Sequence, residues 1–239
     1  MKQQPQSFQT IIQKTVSLQY LLYLPEAYQS SEQAWPLILF LHGIGERGKD
    51  LDLLKLYGIP KVIEDGMDFP FLVVSPQCPK DTFWTKELDT LHALIENIVK
   101  EYKVDKSRIY LTGLSMGGFG TWHLAAAYPS KFAAIVPICG GTDPYIGFPE
   151  RIQVLKDVPA WVFHGAQDDI VPLEKSQELV NVLKEHQGNV KFTVYPDTKH
   201  DSWTETYENP ELYEWLLQQK NGSYHSKNPD RIGNRASSS

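Results

Sequence analysis

The stretch Arg108-Ile-Tyr-Leu-Thr-Gly-Leu-Ser-Met-Gly-Gly-Phe-Gly120 constrains this chain more than any other. A β-rich run, Ile109 to Thr112, ends in Gly113. Ser115 then stands alone between glycines, and a helix-forming segment from Thr121 to Tyr128 follows. Gly113-Leu-Ser-Met-Gly117 has the pattern of a nucleophile elbow, a strand-to-helix turn so sharp that the serine takes strained backbone angles. Glycines two positions on either side are needed because a Cβ there would collide with the neighbouring strand or helix. Such a turn lifts the hydroxyl clear of the sheet edge and leaves the first helical amides free to face an oxyanion.

The rest of the chain alternates strand and helix patterns around that turn. Leu37–Leu41 is a continuous apolar run, as expected of a strand covered on both faces, and Phe71–Ser75 is a second. Further strands are predicted at Phe132–Ile138, Ala160–Phe163 and Val190–Tyr195. Helices are predicted around Leu51–Tyr57, Ile59–Asp65, Leu173–His186 and Glu211–Gln219. The clearest helix is Leu88–Tyr102, where Leu91, Leu94, Ile95, Ile98, Val99 and Tyr102 fall on one stripe at i, i+3, i+4, i+7 spacing. Phe8–Thr15 and Ser17–Tyr23 read as a leading hairpin. The expectation is an α/β fold: a mostly parallel sheet of about eight strands, helices on both faces, and an N-terminal antiparallel hairpin. One domain is expected over 8–220, with loose tails at 1–7 and 221–239. The 239 residues, 41% of them hydrophobic, can supply a core for one such domain.

Composition removes several function classes. A net charge of −6 argues against nucleic acid or an anionic membrane surface as the main partner. The N-terminus has no apolar core of signal-peptide length, and the longest apolar run, Pro36–Leu41, is too short to span a bilayer. Cys78 and Cys139 are too few for a disulfide framework or a zinc site, which favours a cytoplasmic protein; whether the two pair is left open. Neither a paired-histidine helix nor a dinucleotide fingerprint is present, so no metal and no organic cofactor is expected.

A serine hydroxyl needs an adjacent base, usually histidine held by a carboxylate, and after an elbow the chain order is serine, acid, histidine. Seven histidines are present, and the order removes His42, His92, His123 and His164. His186 ends an amphipathic helix and His225 lies in the tail, whereas His200 follows the strand Val190–Tyr195 by a short loop. Reactive groups in parallel sheets gather at the carboxyl ends of strands, which selects His200. The same rule offers Asp168 and Asp169 after Ala160–Phe163, with Asp143 a weaker alternative; Asp197 and Asp201 lie too near His200 in sequence. Two backbone amides are expected to face the oxyanion, those of Met116 and of Ile44 in the loop His42-Gly-Ile-Gly45. His42 and His164, each before a glycine at a strand end, are expected to serve structural hydrogen bonds.

Four stretches carry a resemblance: Leu41-His-Gly-Ile-Gly-Glu46, Ser107 to Gly118, His164-Gly-Ala-Gln-Asp-Asp-Ile-Val-Pro172, and His200-Asp-Ser-Trp203. In this order and spacing the chain resembles the α/β-hydrolase superfamily. Its likeness is to the phospholipase/carboxylesterase, dienelactone-hydrolase-like and acyl-protein-thioesterase branch, and within it to bacterial esterases often labelled predicted peptidases. The resemblance implies Asp168 as the triad acid, through the pattern His-Gly-x-x-Asp-x-x-Val-Pro, and Ile44 and Met116 as the oxyanion residues. It implies a serine hydrolase acting on carboxylic esters or thioesters, with Ser115, Asp168 and His200 catalytic. Dienelactone hydrolases carry cysteine at the elbow, so Ser115 argues against their ring opening. Larger relatives insert a lid at Gly141–Val158, which is short here, so an open site is expected. Trp84 and Trp203 are expected to wall a small-molecule substrate pocket. An acyltransferase on the same fold, and a non-catalytic binding protein, are the rival readings. Oligomeric state is not legible.

Overall fold

The computed structural model describes residues 3–11, 13–142 and 149–222. Seven strands form one sheet in the order β1-β3-β2-β4-β5-β6-β7. These are β1 (Tyr20–Tyr23), β2 (Trp35–Leu41), β3 (Leu72–Pro76), β4 (Val104–Leu114), β5 (Ala134–Ile138), β6 (Ala160–Gly165) and β7 (Val190–Tyr195). All neighbours run parallel except β1, which is antiparallel to β3 with Tyr20 opposite Pro76. Among the described residues six α-helices flank them: α1 (Gly58–Glu64), α2 (Leu88–Glu101), α3 (Met116–Ala127), α4 (Glu174–Glu185), α5 (Trp203–Glu208) and α6 (Pro210–Gln218).

Alternation along the central strands explains the layering, because successive side chains point to opposite faces. Leu37, Leu39 and Leu41 pack with α2, α3 and α4 through Leu91, Ile95, Trp122 and Leu179. Ile38 and Phe40 pack on the other face with α1, α5 and α6 through Ile59, Tyr207 and Leu212. Both faces are covered, so β2 is buried at every position. In α2 the predicted stripe divides by depth. Leu91, Ile95 and Ile98 are buried, and Leu94, Val99 and Tyr102 pack at its margin.

The expected hairpin is corrected. Residues 8–11 and 13–19 form no strand, and Phe8 and Ile11 are each 90% exposed. The antiparallel strand is only Tyr20–Tyr23, and its partner is β3. A free two-stranded hairpin is marginal in water, whereas β3 offers a formed edge. The count is therefore seven strands among the described residues, one fewer than expected. The elbow helix also begins earlier than its composition suggests, at Met116 and not Thr121. Its glycines are poor helix formers, but close packing requires them, as shown below. Asn221 donates from its backbone to Ser107 O and from its side chain to Ser130 O, one residue past the expected domain end. Asp143, His225 and residues 143–148 of the Gly141–Val158 connection lie outside the described residues.

Candidate active site

Ser115 sits between β4 and α3 with φ 52° and ψ −117°, left-handed backbone that a side chain rarely takes. Its amide donates to Ile138 O at 3.0 Å, tying the turn to β5. The glycines around it are steric necessities. A Cβ at Gly117 would lie 1.9 Å from Leu41 O, and one at Gly113 would lie 2.5 Å from Gly117 O. Helix and strand backbones are therefore in direct contact at the elbow. The serine is held by that contact.

His200 follows β7 and is positioned from β6. Ala166 N donates to Tyr195 O at 2.8 Å, and Gln167 N to Thr198 O at 3.0 Å. Gly165 has no room for a side chain, since a Cβ would meet Lys199 O at 2.1 Å. So clasped, the loop sets His200 Nε2 2.9 Å from Ser115 Oγ and Nδ1 2.8 Å from Asp168 Oδ2. Asp168 Oδ1 accepts from the amides of Ile170 and Val171, each at 2.9 Å. Burial opposes ionisation of this carboxyl, but the bonds from His200, Val171 and Ile170 outweigh it and hold its pKa below the ordinary value. Asp169 instead turns to solvent, 3.9 Å from Lys199 Nζ. Asp201 accepts from Thr204 N at 3.1 Å, just ahead of α5, a helix that sequence reasoning missed and whose N-cap is Ser202. His186 lies on the surface and meets Val182 O.

The opposite wall is the loop after β2. A Cβ at Gly43 would lie 3.9 Å from Ser115 Cβ, so this backbone passes beside the serine. His42 is 1% exposed; its Nε2 accepts from Cys78 N at 2.9 Å, which leaves the proton on Nδ1, donated to Gly43 O at 2.6 Å. Burial pushes its pKa down to about 4, so the ring is neutral at pH 7. Arg47 Nε donates to Ile44 O at 3.2 Å and Gln77 Nε2 to Glu46 O at 2.8 Å, fastening the loop further. The Ile44 side chain is 52% exposed. Met116 is the first residue of α3, where amides have no acceptor within the helix.

The two tryptophans differ. Trp203 stands edge-to-face against His200, ring centres 5.3 Å apart, with Tyr57 beyond it at 6.0 Å. Trp84 is corrected: it is fully buried, and its indole N–H donates to His42 O at 3.0 Å. A Cβ at Gly120 would lie 2.6 Å from its own Cβ. It fills the space under the loop and presents no face to a substrate. Cys78 and Cys139 are both unpaired and buried. Cys139 comes with Asp168 and His200 into a cluster of possible metal-ligand atoms within 4.8 Å of one another. Hydrogen bonds already occupy the Asp168 and His200 lone pairs, and burial keeps the thiol protonated. The cluster is a poor metal donor set.

Residues 57–211 match the family model described as Phospholipase/Carboxylesterase. The chain belongs to that family. The matched range contains Ser115, Asp168 and His200, and the Ile44 loop precedes it. Among known proteins, the chain is 32% identical over 191 residues to the bifunctional acetylxylan esterase/xylanase XynS20E of Neocallimastix patriciarum, covering 75% of this chain and 26% of that protein. It is 27% identical over 195 residues to a probable feruloyl esterase C of Aspergillus terreus, covering 74% of this chain and 64% of that one. The chain thus spans only part of each relative. A thermostable esterase of known structure superposes with a TM-score of 0.73 at 36% identity, covering 86% of this chain and 60% of that one. These likenesses and the doubly covered sheet establish an α/β-hydrolase fold. Among the described residues no helix is long and apolar enough to cross a membrane.

Proposed function

We propose that this chain is a serine hydrolase that cleaves carboxylic esters through an acyl-enzyme on Ser115. The observation that carries this reading is His200, which contacts the serine hydroxyl with one nitrogen and a buried carboxylate with the other. In the resting state Ser115 Oγ–H donates to His200 Nε2, and His200 Nδ1–H donates to Asp168 Oδ2. As Oγ attacks the acyl carbonyl, His200 takes the proton and Asp168 steadies the resulting imidazolium. The amides of Met116 and Ile44 receive the oxyanion of the tetrahedral intermediate. His200 then protonates the leaving alkoxide. Water, deprotonated by the same nitrogen, releases the carboxylic acid and restores Ser115.

Small-molecule esters suit this chemistry, and the names of the relatives suggest acetyl and feruloyl esters as the first to try. An acyl-protein thioesterase homologue from Dictyostelium discoideum, 27% identical over 164 residues, keeps thioesters in view, and the family description keeps phospholipids. Trp203 beside His200, with Tyr57 packed against it, supplies an apolar wall for the acyl or alcohol group. Two unpaired buried thiols support a reducing, cytoplasmic setting. Ser115→Ala should abolish turnover of p-nitrophenyl acetate, by about 10⁴-fold or more, with the circular dichroism spectrum unchanged. Retained turnover would sink the reading.

A further inference from the structure

His164, the last residue but one of β6, is fully buried and has no part in the steps above. Its Nε2 lies 3.1 Å from Asp168 Oδ2, and both side chains are shut off from solvent. The same carboxylate oxygen receives His200 Nδ1. We infer that His164 is a positioning residue for the relay. Its Nε2–H donates to the Asp168 oxygen that holds His200, and so limits how strongly that carboxylate pulls on the His200 proton. The inference rests on the triad reading.

Proton counting carries the argument. His164 Nε2 faces two acceptors, Asp168 Oδ2 and, at 2.8 Å, Val171 O. A lone pair at that nitrogen would be repelled by both, so the proton is there. Nδ1 is then an acceptor, and Ser176 Oγ on α4, 2.8 Å from Nδ1 and 3.0 Å from Gly140 O, gives its single hydrogen to the nearer Nδ1 and not to Gly140 O. Burial, the largest influence on the ring, pushes its pKa down despite the nearby carboxylate, so it is a neutral donor with one proton to place. The titratable groups acting on it are Asp168, from the β6–α4 loop, and His200, from the β7–α5 loop. Cys139, from the end of β5, clusters with the same carboxylate as a neutral thiol.

Asp168 therefore receives four donors: two amides on Oδ1 and two imidazoles on Oδ2. Each donor draws charge from the carboxylate. Removing the His164 donor concentrates that charge on His200 and stabilises its imidazolium. The acid limb of kcat/KM must then move to higher pH.

Two substitutions test this. In His164→Gln the side-chain amide reaches the place of Nε2 and keeps a donor toward Asp168. In His164→Asn the amide reaches only the place of Nδ1, so Ser176 keeps a partner and Asp168 loses one. Profiles of kcat/KM against pH with p-nitrophenyl acetate should leave His164→Gln within about 0.2 unit of wild type. His164→Asn should shift the limb up by about half a unit or more, with kcat about tenfold lower. Equal limbs in the two variants would overturn the inference, because a filler role moves stability and leaves the profile in place. Should either variant fail to fold, ¹⁵N-imidazole spectra of the wild type decide instead: His164 must be a neutral Nε2–H tautomer, and Nδ1–H overturns it. Wild-type labelling of Ser115 by a fluorophosphonate separates the two ideas. Labelling with unshifted limbs refutes only the His164 role, and absent labelling refutes the triad reading with it.

Discussion

The chain places a His-Gly pair at the carboxyl end of two parallel strands, His42-Gly43 just after β2 and His164-Gly165 closing β6. Both rings are buried, and burial lowers the pKa of both. Their outputs differ. His42 keeps its proton on Nδ1 and spends both nitrogens on backbone, Gly43 O and Cys78 N, so it steadies a loop. His164 keeps its proton on Nε2 and turns it to a carboxylate. The glycines diverge likewise. A Cβ at Gly43 would press on two side-chain ends, Leu114 Cδ1 at 2.9 Å and Glu46 Oε2 at 3.0 Å. One at Gly165 would strike two carbonyl oxygens of the His200 loop, Lys199 at 2.1 Å and Thr198 at 2.3 Å. One side of the site thus works through backbone held in place, the other through side chains aimed by backbone contact.

If the β2 side acts through its main chain, Ile44→Pro should lower kcat/KM by about 10²–10³-fold by deleting one oxyanion donor. Ile44→Ala, which keeps the amide and trims an exposed side chain, should stay within about twofold. Equal losses in the two would break the contrast. Next in size, Gly165→Ala should push the His200 loop outward and cost about a hundredfold in kcat. Gly43→Ala, opposed only by side-chain ends, should cost about fivefold; the reverse ranking would reassign the rigid side. The smallest effect is on stability. His42 has its pKa pushed from 6.5 to about 4, so the unfolded chain binds that proton first. Its contribution is intact above pH 6.5 and is lost as pH falls toward 4, of order 3 kcal/mol in all. Urea titrations at pH 7 and pH 5 should show His42→Gln losing less between the two than wild type does. A parallel loss would mean that His42 is not buried neutral.

Much of this was legible because it is local. The apolar run of β2, the stripe of α2 and the glycines about Ser115 report sterics between near neighbours in sequence. Chain order left three histidines of seven, and placement just after a strand singled out His200 among them. The acids remained an adjacent pair until family likeness separated them, and the structure gives the physical difference: Asp168 is sealed against two amides while Asp169 faces Lys199 and water. Trp84 and Trp203 looked alike in sequence, since an aromatic residue suits a pocket wall and a core equally well. Only the close pass of Gly120 put Trp84 inside. The β1 partner was misread for a similar reason. Alternation marks a strand without saying which edge it joins.

By itself the sequence determined the strand-to-helix turn, the isolated serine at its tip, and the two-faced apolar strands that bury the sheet. Those depend on backbone sterics and side-chain period, which are properties of short segments. Tertiary structure alone decided which imidazole nitrogens carry protons, which carboxylate meets His200, and which glycine bears against which loop. Those depend on atoms brought within 2 to 3 Å across loops far apart in the chain, and no local pattern encodes that approach.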